Sequence, residues 1–92
     1  MIESFRHKGL KRLYENEDRR SLPPELIGRI GVILADLEVA QQISDLDRPG
    51  FRLHALKGGL KGFWSITVRA NWRIIFRFEN GNVFDVDFLD YH

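Results

Sequence analysis

From Phe51 onward the hydrophobic residues recur at every second position, and this period dictates the architecture. Trp64, Ile66 and Val68 alternate with Ser65, Thr67 and Arg69. Trp72, Ile74, Phe76 and Phe78 alternate with Arg73, Ile75 and Arg77, and Phe84, Val86 and Phe88 with Asp85 and Asp87. Side chains along a strand point to opposite faces in turn, so each run reads as a strand with one apolar and one polar face. Phe51, Leu53 and Ala55 begin the same pattern around Arg52 and His54, before Gly58-Gly59 and Gly62 mark a loop. Runs joined by connections as short as Ala70-Asn71 pair antiparallel, giving a sheet with one greasy face and one polar face.

That greasy face needs a cover, and the first half of the chain supplies it. Leu10, Leu13 and Tyr14 have helical spacing within His7 to Glu15, after a short strand over Ile2 to Phe5. The charged run Glu15 to Arg20 is a loop. Ser21 before Leu22-Pro23-Pro24-Glu25 reads as a helix start, with a serine cap and prolines in the first turn. This second helix is expected to run to about Ile43, with Leu26, Ile30, Ile33, Leu34, Leu37 and Ala40 on one stripe. Gly28 and Gly31 weaken it, and close approach of the first helix is their expected use. The fold class is α+β: two N-terminal helices on one face of a mainly antiparallel sheet. At 92 residues the chain is expected to form a single domain, residues 1–92.

The last hairpin poses a choice of register. Asn80-Gly81 favours a two-residue turn, but that turn pairs Phe76 with Asp85 and mixes the faces. A three-residue loop, Asn80-Gly81-Asn82, pairs Phe76 with Val86 and Arg77 with Asp85. Continuity of the apolar face favours the longer loop.

Charge is segregated along the chain. Residues 1–47 carry seven Lys/Arg and nine Asp/Glu, residues 48–78 carry seven Lys/Arg and no acid, and residues 79–92 carry four acids and no base. The middle segment therefore places a basic surface on the polar face of the sheet, which is suited to a polyanion. With no cysteine there is no disulfide or thiolate metal site, and His7, His54 and His92 lack metal-ligand spacing. No metal or cofactor is expected. No apolar run approaches the roughly 20 residues of a membrane span and no signal sequence is visible, so the expected location is the cytoplasm.

Attack of an RNA 2′-OH on its own phosphodiester needs a base for the 2′ proton, an acid for the leaving 5′ oxygen and cations for the phosphorane oxygens. His54, Asp90, Tyr91 and His92 offer acid–base groups; Lys57, Arg69 and Arg73 offer cations. Antiparallel pairing brings Asp90 to His92 opposite Trp72 and Asn71, beside Arg73. His92 is the natural proton-transfer group, since imidazole titrates near neutrality; Asp90 is second, and the choice stays open. Trp64 and Trp72 share the apolar parity and read as core. Phe63 falls on the polar parity and is the better stacking platform, and Arg77 continues the row of cations.

His54-Ala55-Leu56-Lys57-Gly58, Gly62-Phe63-Trp64-Ser65-Ile66-Thr67-Val68-Arg69, Asn71-Trp72-Arg73-Ile74 and the closing Asp90-Tyr91-His92 resemble the HigB family of plasmid-maintenance killer proteins. The resemblance spans the chain and is most diffuse over Glu15 to Leu46. It implies a RelE-like fold and a toxin that cuts mRNA in the A site of the small ribosomal subunit. It also implies a HigA-type helix-turn-helix antitoxin, through which alone the toxin would meet operator DNA. Carried over by position, His54, Asp90, Tyr91 and His92 form the acid–base set, Lys57 and Arg73 hold the phosphate, and Asn71 helps read an adenine. A ParE-like toxin that inhibits a protein such as DNA gyrase would share the fold, but it has no use for that acid–base set.

Overall fold

The computed structural model describes residues 1–91. Helix α1 spans Lys8–Asn16 and is closed at both ends by its own sequence. The His7 imidazole accepts the Leu10 amide at 3.1 Å, and Glu17, left-handed at φ 55°, turns the chain out of the helix.

The second helix, α2, is shorter than its apolar stripe predicts, running over Ile27–Val39. The two prolines start a 3-10 turn over Pro24–Leu26, and Ser21 does not cap it. The Ser21 hydroxyl instead accepts a hydrogen bond from the Arg12 guanidinium at 3.0 Å, tying the loop back to α1. At the other end Ala40 is extended, and the Asp45 carboxylate takes the Gln41 and Gln42 amides at 2.9 and 3.2 Å. A short acid that captures nearby amides competes with helix propagation, so the chain breaks four residues before Ile43 and forms a 3-10 turn over Ile43–Leu46. The close approach expected at Gly28 and Gly31 is not there: a Cβ at either would meet nothing within 4 Å.

Four strands, β1 (His54–Ala55), β2 (Trp64–Arg69), β3 (Trp72–Glu79) and β4 (Asn82–Asp90), form one antiparallel sheet in the order β1-β2-β3-β4. The strand expected from Phe51 is cut to two residues because Arg52 takes a left-handed φ of 51°. Phe51 is buried all the same, and its carbonyl receives the Thr67 amide at 2.7 Å. Ile2 to Phe5 makes no full strand; only Ile2 and Phe5 bridge to β4, in parallel, through Val83 and Val86.

The last hairpin overturns the expected three-residue loop. Asn80 and Gly81, at φ 51° and 81°, make the two-residue turn, and Arg77 pairs with Phe84. A bulge at Asp85, φ 56°, then shifts the register so that Ile75 faces Asp87 and Ile74 faces Phe88. The extra residue restores the apolar face beyond the turn, so the ideal turn and a continuous core coexist. The Ser4 hydroxyl accepts the Asp85 amide at 2.8 Å and satisfies the bulge.

The main core lies between helices and sheet: Leu10, Ile30, Ile33 and Leu37 pack with Ile66, Ile74, Phe76, Val83 and Val86. The polar face is not bare, as the alternation alone implied. Leu56, Phe63 and Ile75 form a second, small cluster there, joined by Leu60 and Leu89.

Candidate nuclease site

The free end of β3 and β4 organises the predicted groups into two rows. Thr67, Arg73 and Leu89 pair across β2, β3 and β4, and Arg69, Trp72 and Asp90 form the row beyond. His54 pairs with Ser65, which pairs with Ile75. Directly opposed residues share a face, so His54, Thr67 and Arg73 project from the face opposite the main core. Strand spacing puts the Cα atoms of His54 and Arg73 on the order of 12 Å apart, a gap two side chains and one phosphate can fill.

Asp90 and Arg69 flank Trp72 and so follow its parity toward the helix side. Asp90 is exposed and stands at the rim, about 6 Å from Arg73 by strand geometry. Tyr91 continues the strand: its amide donates to the Asn71 carbonyl at 2.7 Å, and its ring is exposed. The C-terminal pairing expected from sequence is thus present through Tyr91, while His92 lies outside the described residues. Arg69 lines a recess of about 290 Å³ with Glu25, Leu26, Ala70 and Trp72, on the far side of the edge from His54.

Each cation is held differently. The Arg73 guanidinium donates to the carbonyls of Ala70 and Trp72, which fixes it beside the β2–β3 turn. Ala70 at φ 50° makes that turn. Lys57 opens the 3-10 turn Gly58–Leu60 and is exposed. Arg77 stands apart, about 13 Å along β3 from Arg73. It is ion-paired with Asp85 at 2.9 Å and Glu79 at 3.3 Å, so the row of free cations expected from sequence ends before it.

His54 carries the clearest chemical information. Its Nδ1 lies 3.0 Å from the Arg52 carbonyl. A carbonyl only accepts, so Nδ1 bears the proton and the neutral ring keeps its lone pair on Nε2. The left-handed Arg52 that shortens β1 is what aims this carbonyl.

One sequence expectation needs correction, and one supporting residue was not singled out by sequence. Phe63 is on the polar side of the sheet but only 7% exposed, packed in the second cluster with the Arg6 guanidinium 4.8 Å above its ring. It offers no open platform to a base. His7, passed over in sequence because a lone histidine has no spacing signal, supports the site from below. Its ring meets Phe88 edge-on at 5.7 Å, and Phe88 stacks on Trp72 at 4.6 Å. Burial holds the His7 pKa below 6.5, against the opposing pull of Asp87. Remote from these groups, a groove of about 360 Å³ separates α1 from α2, where the Tyr14 hydroxyl donates to Glu38 and is pushed up to about 12.

Among the described residues no three His, Cys, Asp or Glu side chains cluster as a metal site, and no helix is long and apolar enough to cross a membrane.

Residues 3–92 match the family model for the RelE-like toxin of type II toxin–antitoxin system HigB. The chain is 47% identical over 92 residues to Endoribonuclease HigB of Proteus vulgaris, with all of both proteins covered. It is 36% identical over 94 residues to Toxin HigB-1 of Vibrio cholerae serotype O1, covering all of this chain and 98% of that one. Among solved structures it resembles the toxin–antitoxin complex YoeB–YefM of Staphylococcus aureus, with TM-score 0.61, 14% identity and 100% and 98% coverage. It also resembles the YoeB/ParE toxin of Agrobacterium tumefaciens, with TM-score 0.56, 14% identity and 96% coverage of each chain.

Proposed function

Because the chain belongs to the HigB-like family of RelE-like toxins of type II toxin–antitoxin systems, we propose that it is a ribosome-dependent endoribonuclease that cuts messenger RNA in the A site. The observation that carries this reading is the 3.0 Å contact of His54 Nδ1 with the Arg52 carbonyl. With Nδ1–H committed to the Arg52 carbonyl, Nε2 is free to take the 2′-OH proton. The 2′ oxygen then attacks its own phosphorus, and the P–O5′ bond breaks. The products are a 2′,3′-cyclic phosphate and a 5′-OH whose proton comes from the acid.

Arg73 neutralises the non-bridging oxygens, with Lys57 on the adjoining loop. The acid is drawn from the strand end, Asp90, Tyr91 or His92, across the scissile phosphate from His54. Asn71, whose carbonyl anchors Tyr91, contacts the base. All the groups this route needs are side chains of the chain. Much of the rate would come from orientation on the ribosome, since positioning alone is worth about 7–11 kcal/mol. A HigA-type helix-turn-helix antitoxin holds the toxin in check in the cytoplasm and carries the pair to operator DNA.

The test is to induce the protein in growing cells and map new mRNA 5′ ends, then repeat with purified mRNA with and without ribosomes. Cuts inside translated frames, and in vitro only with ribosomes present, are expected. Intact mRNA in arrested cells with impaired DNA supercoiling would overturn the nuclease reading in favour of a gyrase poison.

A further inference from the structure

Arg6 belongs to the acidic first half of the sequence, so counting charge by segment does not assign it to the basic face. Its backbone runs beside β4, with its amide on the Val86 carbonyl at 2.8 Å. Its side chain nevertheless reaches the β1–β2 side of the molecule, where the guanidinium sits 4.8 Å above the ring of Phe63. Phe63 in turn accepts the Leu56 amide through its carbonyl at 2.9 Å, one residue before Lys57.

Its pairing sets Arg6 apart from Arg77. Arg77 is neutralised by Asp85 and Glu79, whereas Arg6 makes no ion pair among the described residues and is exposed. An arginine spanning the face of a sheet without an acid partner has its charge directed to solvent. The ring beneath it restricts the side chain, so less freedom is lost on contact with a ligand. Arg6 and Arg73 then bracket the small apolar cluster of Leu56, Phe63 and Ile75. A single-stranded polyanion gripped at Arg73 and running across that cluster would meet a second fixed cation.

We propose that Arg6 is a phosphate-binding residue that extends the RNA track across the polar face, away from the scissile phosphate. The proposal rests on the nuclease reading above and assigns Arg6 to affinity, not to bond breaking. The phosphate belongs either to the substrate strand or to ribosomal RNA, and two probes separate these sources.

Binding of wild type, Arg6→Ala and Arg6→Lys is measured against a short single-stranded 2′-O-methyl RNA and against ribosomes with an empty A site, over a series of salt concentrations. KM and kcat for cleavage on programmed ribosomes are taken alongside. The expected result is weaker binding and higher KM for Arg6→Ala at unchanged kcat. The slope of log K against log salt should be shallower by about 0.7 for one lost single-strand phosphate contact. Arg6→Lys, which keeps the charge, should recover most of the slope. A shallower slope with the short RNA assigns the contact to the substrate strand; one with ribosomes alone assigns it to ribosomal RNA.

Wild-type slope and affinity in Arg6→Ala with both probes would overturn the proposal. So would a loss of binding that keeps the slope, tracks a lower unfolding temperature and is not rescued by lysine, because Arg6 would then only brace Phe63. A wild-type protein that neither binds nor cuts RNA would overturn the underlying nuclease reading instead.

Discussion

On the helix side of the sheet Ile66, Ile74, Phe76, Val83 and Val86 are sealed beneath Leu10, Ile30, Ile33 and Leu37. On the other side Leu56, Phe63, Ile75 and the Ser65 side chain are buried among the described residues, with His54 level with Ser65 and Ile75, Arg73 toward one end and Arg77 toward the other. Both faces arise from the same period-two pattern, yet they divide the work. The first supplies the apolar burial that drives folding, at about 1.5–3 kcal/mol per large side chain. The second buries little, leaving Arg6 and Lys57 exposed and Arg73 and Arg77 half-buried with their guanidinium groups held in place. A catalytic surface for a polyanion needs that combination, because a fixed charge acts without reorganising.

The contrast breaks most violently if the covered face is opened. Phe76 is fully buried, and Phe76→Ala should cost about 3–5 kcal/mol. A domain of this size holds roughly 5–14 kcal/mol in total, so denaturant titration should show a protein close to unfolding. A midpoint within experimental error of wild type would mean the core is elsewhere.

On the wet face the opposite outcome is expected. Arg73→Ala should slow cleavage by about 10²–10³-fold while the unfolding curve stays nearly in place. Arg77→Ala, removing a cation already paired with Asp85, should leave cleavage close to wild type. Equal losses in the two variants would remove Arg73 from the site.

A third variant probes the seam between the faces. His7 caps α1 through an unprotonated Nδ1, and burial depresses its pKa. A base whose folded pKa is lowered contributes stability in full above its unfolded value, 6.5, and loses it as pH falls from there toward the folded value. Wild type should therefore weaken over that interval, before carboxylates begin to titrate. His7→Asn, which keeps a capping acceptor but cannot titrate there, should be flatter, and parallel curves for the two proteins would argue against the cap. The smallest effect is expected at Gly31→Ala. A methyl there meets open space, so helix propensity alone should add about 0.5–1 kcal/mol and leave cleavage unchanged.

Much of this arrangement is legible in the residues. The alternation over 64–69 and 72–78 names the strands and their core faces, and the spacing from Ile30 to Leu37 names the helix that covers them. Pairing of the chain's end with Asn71 and Trp72 follows from the same register. What escapes sequence reading is decided by competition between local and distant terms. The two-residue turn at Asn80-Gly81 and an unbroken apolar face looked incompatible until the bulge at Asp85 reconciled them. Ser21 has every mark of a cap, but Arg12 claims its hydroxyl. Phe63 lies on the polar parity and is nonetheless buried, because parity assigns a face and says nothing of what lies across it. The left-handed Arg52 that orients His54 has no signature at all in a sequence without a glycine at that position.

In the proposed site His54 and Arg73, on the face the helices leave uncovered, grip one phosphate with the end of β4 at its rim. The most direct measurement is backbone amide NMR of the full chain titrated with a non-cleavable single-stranded 2′-O-methyl RNA. Resonances around His54, Arg73 and Leu89 to Tyr91 should move together and saturate at one concentration, with α1 and α2 unmoved. Shifts confined to the groove between the helices, or scattered shifts that do not saturate together, would contradict it.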